Sequence, residues 1–145
     1  MSDTNMQERY FEAIRKPGQA VNPLFSFLGL SFDEVSPERV ALTLPFRPEF
    51  RQGVNVVAGG ILATLADEAM AHVVIANLAP GQTTATIEMA VRYFRAVREG
   101  KMTAVATLVH RGRRIVSAEA VITDEKGRMA VKASGSFYVL DAPAG

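Results

Sequence analysis

From Gly59 to Ala79 the sequence is almost wholly apolar, and Asp67 and Glu68 are its only formally charged side chains. The glycine pair at its start and Pro80-Gly81 after its end are typical helix boundaries. Because apolar residues occupy nearly every side of the predicted helix, it must be buried on most faces. The stretch is about long enough to cross a bilayer, but its charged and polar residues favour a buried helix in a soluble domain.

Short runs of alternating apolar residues predict two strands before this helix and four after it. Ser36-Pro37-Glu38 supplies a turn between the first two, and Arg111-Gly112-Arg113 joins two of the last four. The inner face expected for the first strand is Leu28, Leu30 and Phe32, and that of the second is Val40, Leu42 and Leu44. In the first strand after the helix, the expected inner face is Ala85, Ile87, Met89, Val91 and Tyr93. We assign the Met89 and Tyr93 stripe to the core.

Strands that follow one another as hairpins form an antiparallel sheet, and the long helix is the only element large enough to cover its apolar face. We therefore expect one α+β domain over residues 1–145, with about six strands around a central helix in the order ββαββββ. A further amphipathic helix is predicted from about Asn5 to Arg15, so that residues 1–26 form an N-terminal helix and linker. The 145 residues suffice for one core but not comfortably for two.

Composition excludes several classes of function. A net charge of +1 gives no overall attraction to nucleic acid or to an anionic membrane, so we expect neither as a partner. The absence of cysteine excludes disulfides, thiolate metal sites and a cysteine nucleophile. Two histidines without HxxxH or HExxH spacing do not support zinc, so we expect no metal and no cofactor. The polar, acidic N-terminus lacks the pattern of a signal peptide, and we expect a cytoplasmic protein.

Asp67 is the residue that structure alone explains least well. Its helix-face neighbours, three, four and seven positions away, are Ala63, Met70, Ala71 and Val74. A carboxylate among small apolar side chains on a buried helix is costly unless it is hydrogen-bonded or used in chemistry. The structural alternative is a buried acid held by backbone amides or by an arginine.

Glu68 has a simpler interpretation. It shares a helix face with Thr64 and with His72, which lies four residues further on, and a pair with His72 explains a carboxylate at the edge of the helix.

Gly59-Gly60 places unpaired N–H groups at the positive end of the helix dipole, and glycine allows close approach of a ligand to them. A thioester oxygen docked there would gain a donor as it becomes an oxyanion. The alternative is a glycine pair needed for packing. Gly59 and Asp67 lie about 12 Å apart along the helix, too far to serve one carbonyl carbon. If both act, the acid comes from a second copy of the chain.

Three arginines, Arg111, Arg113 and Arg114, crowd one hairpin tip beside His110. Arginine recognises phosphate well, so this hairpin is a candidate site for the phosphates of CoA. The alternative is a turn whose charges are simply solvated.

The segment from Gln52 to Met70, QGVNVVAGGILATLADEAM, resembles the hot-dog thioesterases of the phenylacetate-pathway type, which are related to 4-hydroxybenzoyl-CoA thioesterase. Their pattern is an Asn or Gln, then His-Gly-Gly, then an acid in the central helix. The stretch from Tyr93 to Phe137, with REGKMTAVATLVHRGRR and AVITDEKGRMAVKASGSF, also resembles the family. The resemblance extends over roughly residues 28–139. It implies a hot-dog fold and an acyl-CoA thioesterase.

The resemblance also implies site residues. The family's acid falls on Asp67, as general base or nucleophile, and its oxyanion donor on the backbone N–H of Gly59. Gln52 takes the Asn/Gln position that orients the thioester or water, and Thr86 takes the place of a hydroxyl used opposite the acid. The residues expected to contact the substrate and its CoA are Gly60, Arg111, Gly112, Arg113 and Arg114.

Two positions depart from the family pattern. Ala58 stands where the usual histidine makes supporting hydrogen bonds, and Ala71 stands where some members have a threonine, which makes Thr86 the hydroxyl candidate. The family implies a homodimer with its sites at the subunit interface, or a dimer of dimers, and CoA enters only as part of the substrate. A non-catalytic acyl-CoA binding module stays open because of Ala58. A hydratase or dehydratase needs a histidine beside the acid, and neither histidine is well placed.

Overall fold

The computed structural model describes residues 6–143. Within them the chain forms α-helices, six β-strands and a single 3-10 turn at Pro48–Phe50. The elements in chain order are α1 (Met6–Ile14), α2 (Pro23–Leu28), β1 (Ser31–Val35), β2 (Val40–Leu44), α3 (Gly59–Ile75), β3 (Gln82–Tyr93), β4 (Met102–Arg111), β5 (Ile115–Thr123) and β6 (Met129–Asp141).

The six strands form one antiparallel sheet in the order β1-β2-β4-β5-β6-β3, with β1 and β3 at its edges. Helix α3 packs against β2, β3, β4, β5 and β6. Between the helix and the sheet lies a fully buried apolar core, whose largest members are Leu42, Leu44, Leu65, Met70, Met102, Ile122 and Phe137. The predicted α+β class, the order ββαββββ of elements along the chain and the central helix are confirmed.

Helix α3 is shorter than the sequence predicted, because it ends at Ile75 and not at Ala79. Asn77 accounts for the early end. Its side-chain amide donates hydrogen bonds to the carbonyl oxygens of Val73 and Pro37, both at 2.8 Å. These bonds satisfy a carbonyl of the last helical turn and tie it to the β1–β2 turn, so the chain leaves the helix before the proline.

The predicted first strand was wrong at its start, because Leu28 belongs to a short helix, α2. Asn22 caps this helix by accepting a hydrogen bond from the N–H of Phe25, and proline follows it at the first helical position. Gly29 ends the helix in the left-handed conformation at φ 75°. An Asn-Pro start and a glycine stop are recognised helix signals, but in a six-residue helix the alternating pattern concealed them.

The N-terminal helix that the sequence predicted from about Asn5 to Arg15 is α1, although Asn5 lies outside the described residues. The side-chain amide of Gln7 donates to the carbonyl oxygen of Leu78 at 2.7 Å, just beyond the end of α3. Helix α1 therefore docks along the central helix rather than extending from the domain.

Strand β3 contains a β-bulge, in which Ile87 is an extra residue directly after Thr86. Thr86 lies opposite the fully buried Phe137 of β6, whereas Ala85 lies opposite Tyr138, which is 40% exposed. Side chains alternate between the two faces of a strand, so an extra residue reverses the alternation at that point.

The predicted inner face of β3 was therefore wrong before the bulge and correct after it. Ala85 and Ile87 were expected to face the helix, but Ile87 is 51% exposed. A sequence pattern of period two cannot register an extra residue. The residues of β3 whose cross-strand partners belong to the buried face of β6 are Thr84, Thr86, Met89, Val91 and Tyr93.

The hairpin between β4 and β5 depends on Gly112. A Cβ atom at this position would lie 2.5 Å from the carbonyl oxygen of Ile115, which accepts the Gly112 N–H. We expect Gly112→Ala to lower the free energy of unfolding by about 1–3 kcal/mol, because the backbone of the hairpin must shift. Gly53→Ala is the matched control, since nothing lies within 4 Å of its added Cβ. Urea unfolding measures the stability of both variants. Equal unfolding midpoints for Gly112→Ala and Gly53→Ala would contradict the prediction.

Candidate active site

Asp67 lies midway along α3, on the side of the helix that faces strand β3. Its Oδ1 atom accepts a hydrogen bond of 2.9 Å from the hydroxyl of Thr86. Thr86 is exposed in this chain because β3 is an edge strand, whereas Asp67 is half-buried. The structure thus brings together two of the residues that the sequence analysis selected and leaves the carboxylate partly exposed to solvent.

The start of α3 is held by β3 as well. Tyr93, the last residue of the strand, donates a hydrogen bond of 2.7 Å from its hydroxyl to the carbonyl oxygen of Gly59. Ala58 precedes the helix and provides no side-chain cap. Tyr93 was assigned to the core, but it is 49% exposed and its hydroxyl has a definite partner. Gly60, the second predicted ligand contact at this end, is exposed.

Gln52 lies in the loop that leads into α3. This loop is closed by an isolated bridge between Arg51 and Val57, and the N–H of Gln52 donates to the carbonyl oxygen of Val56 at 2.9 Å. Val57 then donates to the carbonyl oxygen of Val97 at 2.7 Å, which fixes the entry of the chain into the helix. The Gln52 side chain is exposed.

The arginine hairpin lies near the Thr86 end of β3 and not near the start of α3. Val116, close to the hairpin, pairs with Phe137, which pairs with Thr86 on the far side of β6. Tyr93 and Gly59 lie at the opposite end of β3. Within one chain, the β4–β5 hairpin and the start of α3 therefore lie at opposite ends of strand β3.

The residues of this hairpin differ in their surroundings. Arg114 is engaged within its own chain, because its guanidinium donates to the carbonyl oxygen of Val139 and lies 3.3 Å from the carboxylate of Asp141. Within residues 6–143 the exposed side chains of Arg111 and Arg113 have no hydrogen-bond or ion-pair partner. The guanidinium groups of Arg111 and Arg113 are therefore the ones in this hairpin that can bind an anion such as phosphate.

Glu68 and His72 face away from Asp67, toward the N-terminal helices. His72 is 1% exposed, and its Nδ1 lies 2.6 Å from the carbonyl oxygen of Glu68, which can only accept. Nδ1 therefore carries the proton, and Nε2 accepts from the hydroxyl of Tyr10 at 2.9 Å. Asn22 completes the chain of bonds by donating to the Tyr10 hydroxyl at 3.3 Å. This Tyr10–His72 network joins α1, the start of α2 and α3.

Burial has opposite effects on the two titratable groups of α3 in this network. It raises the pKa of Glu68 to about 7, with a further increase from the charge of Asp67, while a hydrogen bond with Asn22 opposes both. Burial lowers the pKa of His72 to about 4, against the effect of the hydrogen bond to the Glu68 carbonyl. At neutral pH His72 is neutral, with both ring nitrogens occupied, so it is not available as a catalytic acid or base.

The sequence patterns did not select Tyr93, Tyr10 or Asn22, whose side chains help to hold helix α3 in place. Asn22-Pro23 was available as a capping signal, but nothing in the sequence indicated that its side chain also reaches Tyr10. Within residues 6–143 no cluster of three His, Asp or Glu side chains has the arrangement of a metal site. Among the same residues, no helix is both long and apolar enough to cross a membrane.

The chain is similar in sequence and in fold to known thioesterases. Residues 54–131 match the family described as the thioesterase superfamily. The proofreading thioesterase EntH of Cronobacter turicensis is 28% identical over 109 residues, which cover 75% of this chain and 80% of that protein. A crystal structure of a thioesterase from Haemophilus influenzae superposes with a TM-score of 0.80 at 24% identity, over 86% of this chain and 87% of the other. A thioesterase family protein from Silicibacter pomeroyi gives 0.79 at 23% identity, over 83% and 91%.

The raised pKa of Glu68 predicts how stability depends on pH. Between its ordinary value of 4.5 and about 7 the folded protein keeps a proton that the unfolded chain has lost, so this group's contribution to stability falls as the pH rises through that range. Glu68→Gln should therefore stabilise the protein relative to wild type by on the order of 2 kcal/mol more at pH 8 than at pH 4.5. Glu119→Gln, on the outer face of β5, is the control. Urea unfolding at both pH values measures the free energies. The prediction would be refuted if the free energy of unfolding differed between Glu68→Gln and wild type by the same amount at pH 4.5 and at pH 8.

Proposed function

Because the chain belongs to the thioesterase superfamily, we propose that it hydrolyses an acyl-CoA thioester to a free acid and CoA, with Asp67 as the catalytic carboxylate. The hydrogen bond between Thr86 and Asp67 is the observation that carries the proposal. It orients a carboxylate at the open edge of the sheet and leaves the second carboxylate oxygen for water or substrate. An acid that served only the fold would have its hydrogen bonds inside the core.

In the proposed reaction Asp67 either removes a proton from water as the water attacks, or itself attacks the acyl carbon to form an anhydride that water then opens. The carbonyl oxygen becomes an oxyanion, and the N–H of Gly59 stabilises it at the positive end of α3. The carbon–sulfur bond breaks and CoA leaves as a thiolate, so no strong general acid is required. Gln52 orients the thioester or the water.

We propose that the site is shared by two copies of the chain. Gly59 and Asp67 of one chain lie about 12 Å apart along α3 at 1.5 Å per residue, so both cannot reach one carbonyl group. Strand β3 is a long edge strand, and its outward side leaves Ile87 half-exposed. An edge strand presents unpaired N–H and C=O groups to which a second chain can bind. An antiparallel partner along β3 brings Asp67 of one subunit toward Gly59 of the other.

The CoA part of the substrate is assigned to the exposed guanidinium groups of Arg111 and Arg113. Guanidinium groups bind phosphate through paired N–H donors, and both side chains are free of protein partners within residues 6–143. Arg114 supports the same hairpin through its bond to Val139 and contributes to CoA binding indirectly.

A second candidate function is a module that binds acyl-CoA without turnover. The observation in its favour is Ala58, which gives the start of α3 no side-chain hydrogen bond. A hydratase or dehydratase is less consistent with the site, because His72 is buried with both ring nitrogens occupied and His110 is at the end of β4.

The first test is CoA release from short, medium, long and aryl acyl-CoAs, followed with a thiol reagent. The chain contains no cysteine, so the protein gives no background. We expect Asp67→Asn to lower kcat at least about a hundredfold, because a general base or nucleophile is lost. Thr86→Val, which keeps the shape but not the hydroxyl, should lower it about tenfold.

Glu119→Gln is the control for removal of a carboxylate and should leave kcat unchanged. Full activity of Asp67→Asn would refute the catalytic assignment. CoA binding without release from any thioester in wild type would favour the binding module.

Subunit mixing tests the shared site. Gly59→Pro removes the proposed donor while suiting the first helical position, and Ala58 already has an extended conformation with ψ 136°. Gly59→Pro and Asp67→Asn should each be inactive alone. Mixed after subunit exchange, they should recover about one quarter of wild-type activity, since half the dimers would hold one intact site.

Gly59→Ala, which adds bulk and keeps the N–H, is the control for the proline in this experiment. If dimers shown to contain both variants recovered no activity, the shared site would be refuted. Asp67 and Gly59 would then act in one chain, or would not act in the same site.

A further inference from the structure

The first turn of α3 is poorly stabilised by its own sequence. Gly59 and Gly60 occupy its first two positions, and each glycine costs about 1 kcal/mol relative to alanine inside a helix. Ala58 provides no side-chain cap. A helix start of this kind frays when no other contact holds it, and a frayed turn does not keep its N–H groups in a fixed direction.

Tyr93 contacts this turn directly. Besides its 2.7 Å hydrogen bond to the Gly59 carbonyl, its ring lies so close that a Cβ atom on Gly59 would be 3.2 Å from both Cζ and the hydroxyl oxygen. The ring therefore lies against the glycine face that any other residue would cover. The hydroxyl holds the peptide group between Gly59 and Gly60, and the ring contact restrains the Gly59 Cα and with it the bonded nitrogen that carries the Gly59 N–H.

We propose that Tyr93 is a positioning residue for thioester hydrolysis, which anchors the start of α3 so that the Gly59 N–H stays aligned with the reacting carbonyl oxygen. The inference rests on the function proposed above. An oxyanion donor is effective only when its direction is fixed before the reaction, because reorientation during the reaction consumes the stabilisation. Tyr93 supplies from the sheet the support that a side chain at position 58 would otherwise give.

This assignment gives β3 two tasks in a dimer. Thr86 orients Asp67 of its own subunit, and Tyr93, seven residues further along, holds the Gly59 that serves the other site. Each strand thus supports half of each active site. A substitution at either end of β3 affects both sites only because both subunits carry it.

The test compares wild type with Tyr93→Phe, which loses only the hydroxyl. Tyr138→Phe is the matched control, because Tyr138 is a comparably exposed tyrosine, 40% against 49%, on the outer face of the sheet. We expect Tyr93→Phe to lower kcat about tenfold with KM changed less than about twofold, in keeping with the loss of one neutral hydrogen bond. The pH profile of kcat should keep its shape.

Rescue distinguishes anchoring from contact with the substrate. Ala58→Ser adds a conventional cap, whose oxygen accepts from the second or third N–H of the helix and leaves that of Gly59 free. In the Tyr93→Phe background it should restore most of the lost kcat. Amide hydrogen exchange over residues 59–63 should be faster in Tyr93→Phe than in Tyr138→Phe, and slower again with Ser at position 58.

The outcomes separate the two proposals. A kcat unchanged in Tyr93→Phe, or a rise in KM alone, would overturn the positioning role while leaving thioester hydrolysis intact. Unchanged exchange over residues 59–63 would overturn the anchor itself. A wild type that releases no CoA from any thioester would overturn the proposed function, and the exchange measurement would still decide whether Tyr93 anchors the helix.

Discussion

Helix α3 needs cover on more sides than one sheet face can give it. The sheet covers most of the helix, and α1 and α2 close the side that carries His72 through the Tyr10–His72 network. The remaining side faces strand β3 at the edge of the sheet, which is where Asp67 lies. A carboxylate on this side of the helix keeps contact with solvent, so it does not have the cost of full burial. The partly exposed position of Asp67 and its hydrogen bond with Thr86 both follow from this incomplete cover.

Asp67 and Glu68 show how strongly one step along a helix changes the environment of a carboxylate. Successive residues project about 100° apart, so the first points to the open edge and the second into the N-terminal helices. Burial there raises the pKa of Glu68 to about 7 and leaves its side chain 15% exposed. The same rotation makes Glu68 part of the scaffold while its neighbour meets the solvent.

The sequence was sufficient to predict the architecture, and it selected Asp67 as the candidate acid, but it did not show the contacts that hold the Asp67 side chain. Apolar periodicity predicted the helix and the strand order, since both depend on patterns many residues long. The family resemblance selected Thr86 without explaining how it reaches Asp67, and strict alternation would have pointed it the other way. Tyr93 was assigned to the core because a hydroxyl that bonds a distant backbone carbonyl leaves no local pattern. The cap at Asn22 was visible in the sequence but was outweighed by the alternation that follows it.

The bulge at Ile87 also affects how this strand can be compared with others. For any relative whose β3 lacks the extra residue, an alignment without a gap pairs the two strands correctly on only one side of position 87. If the residues after the bulge are matched, Ile87 takes the column that structurally corresponds to Thr86, and Thr86 falls in the column of a surface residue. A column-by-column search for the hydroxyl that bonds to Asp67 would then miss Thr86. An insertion column at position 87 restores the match.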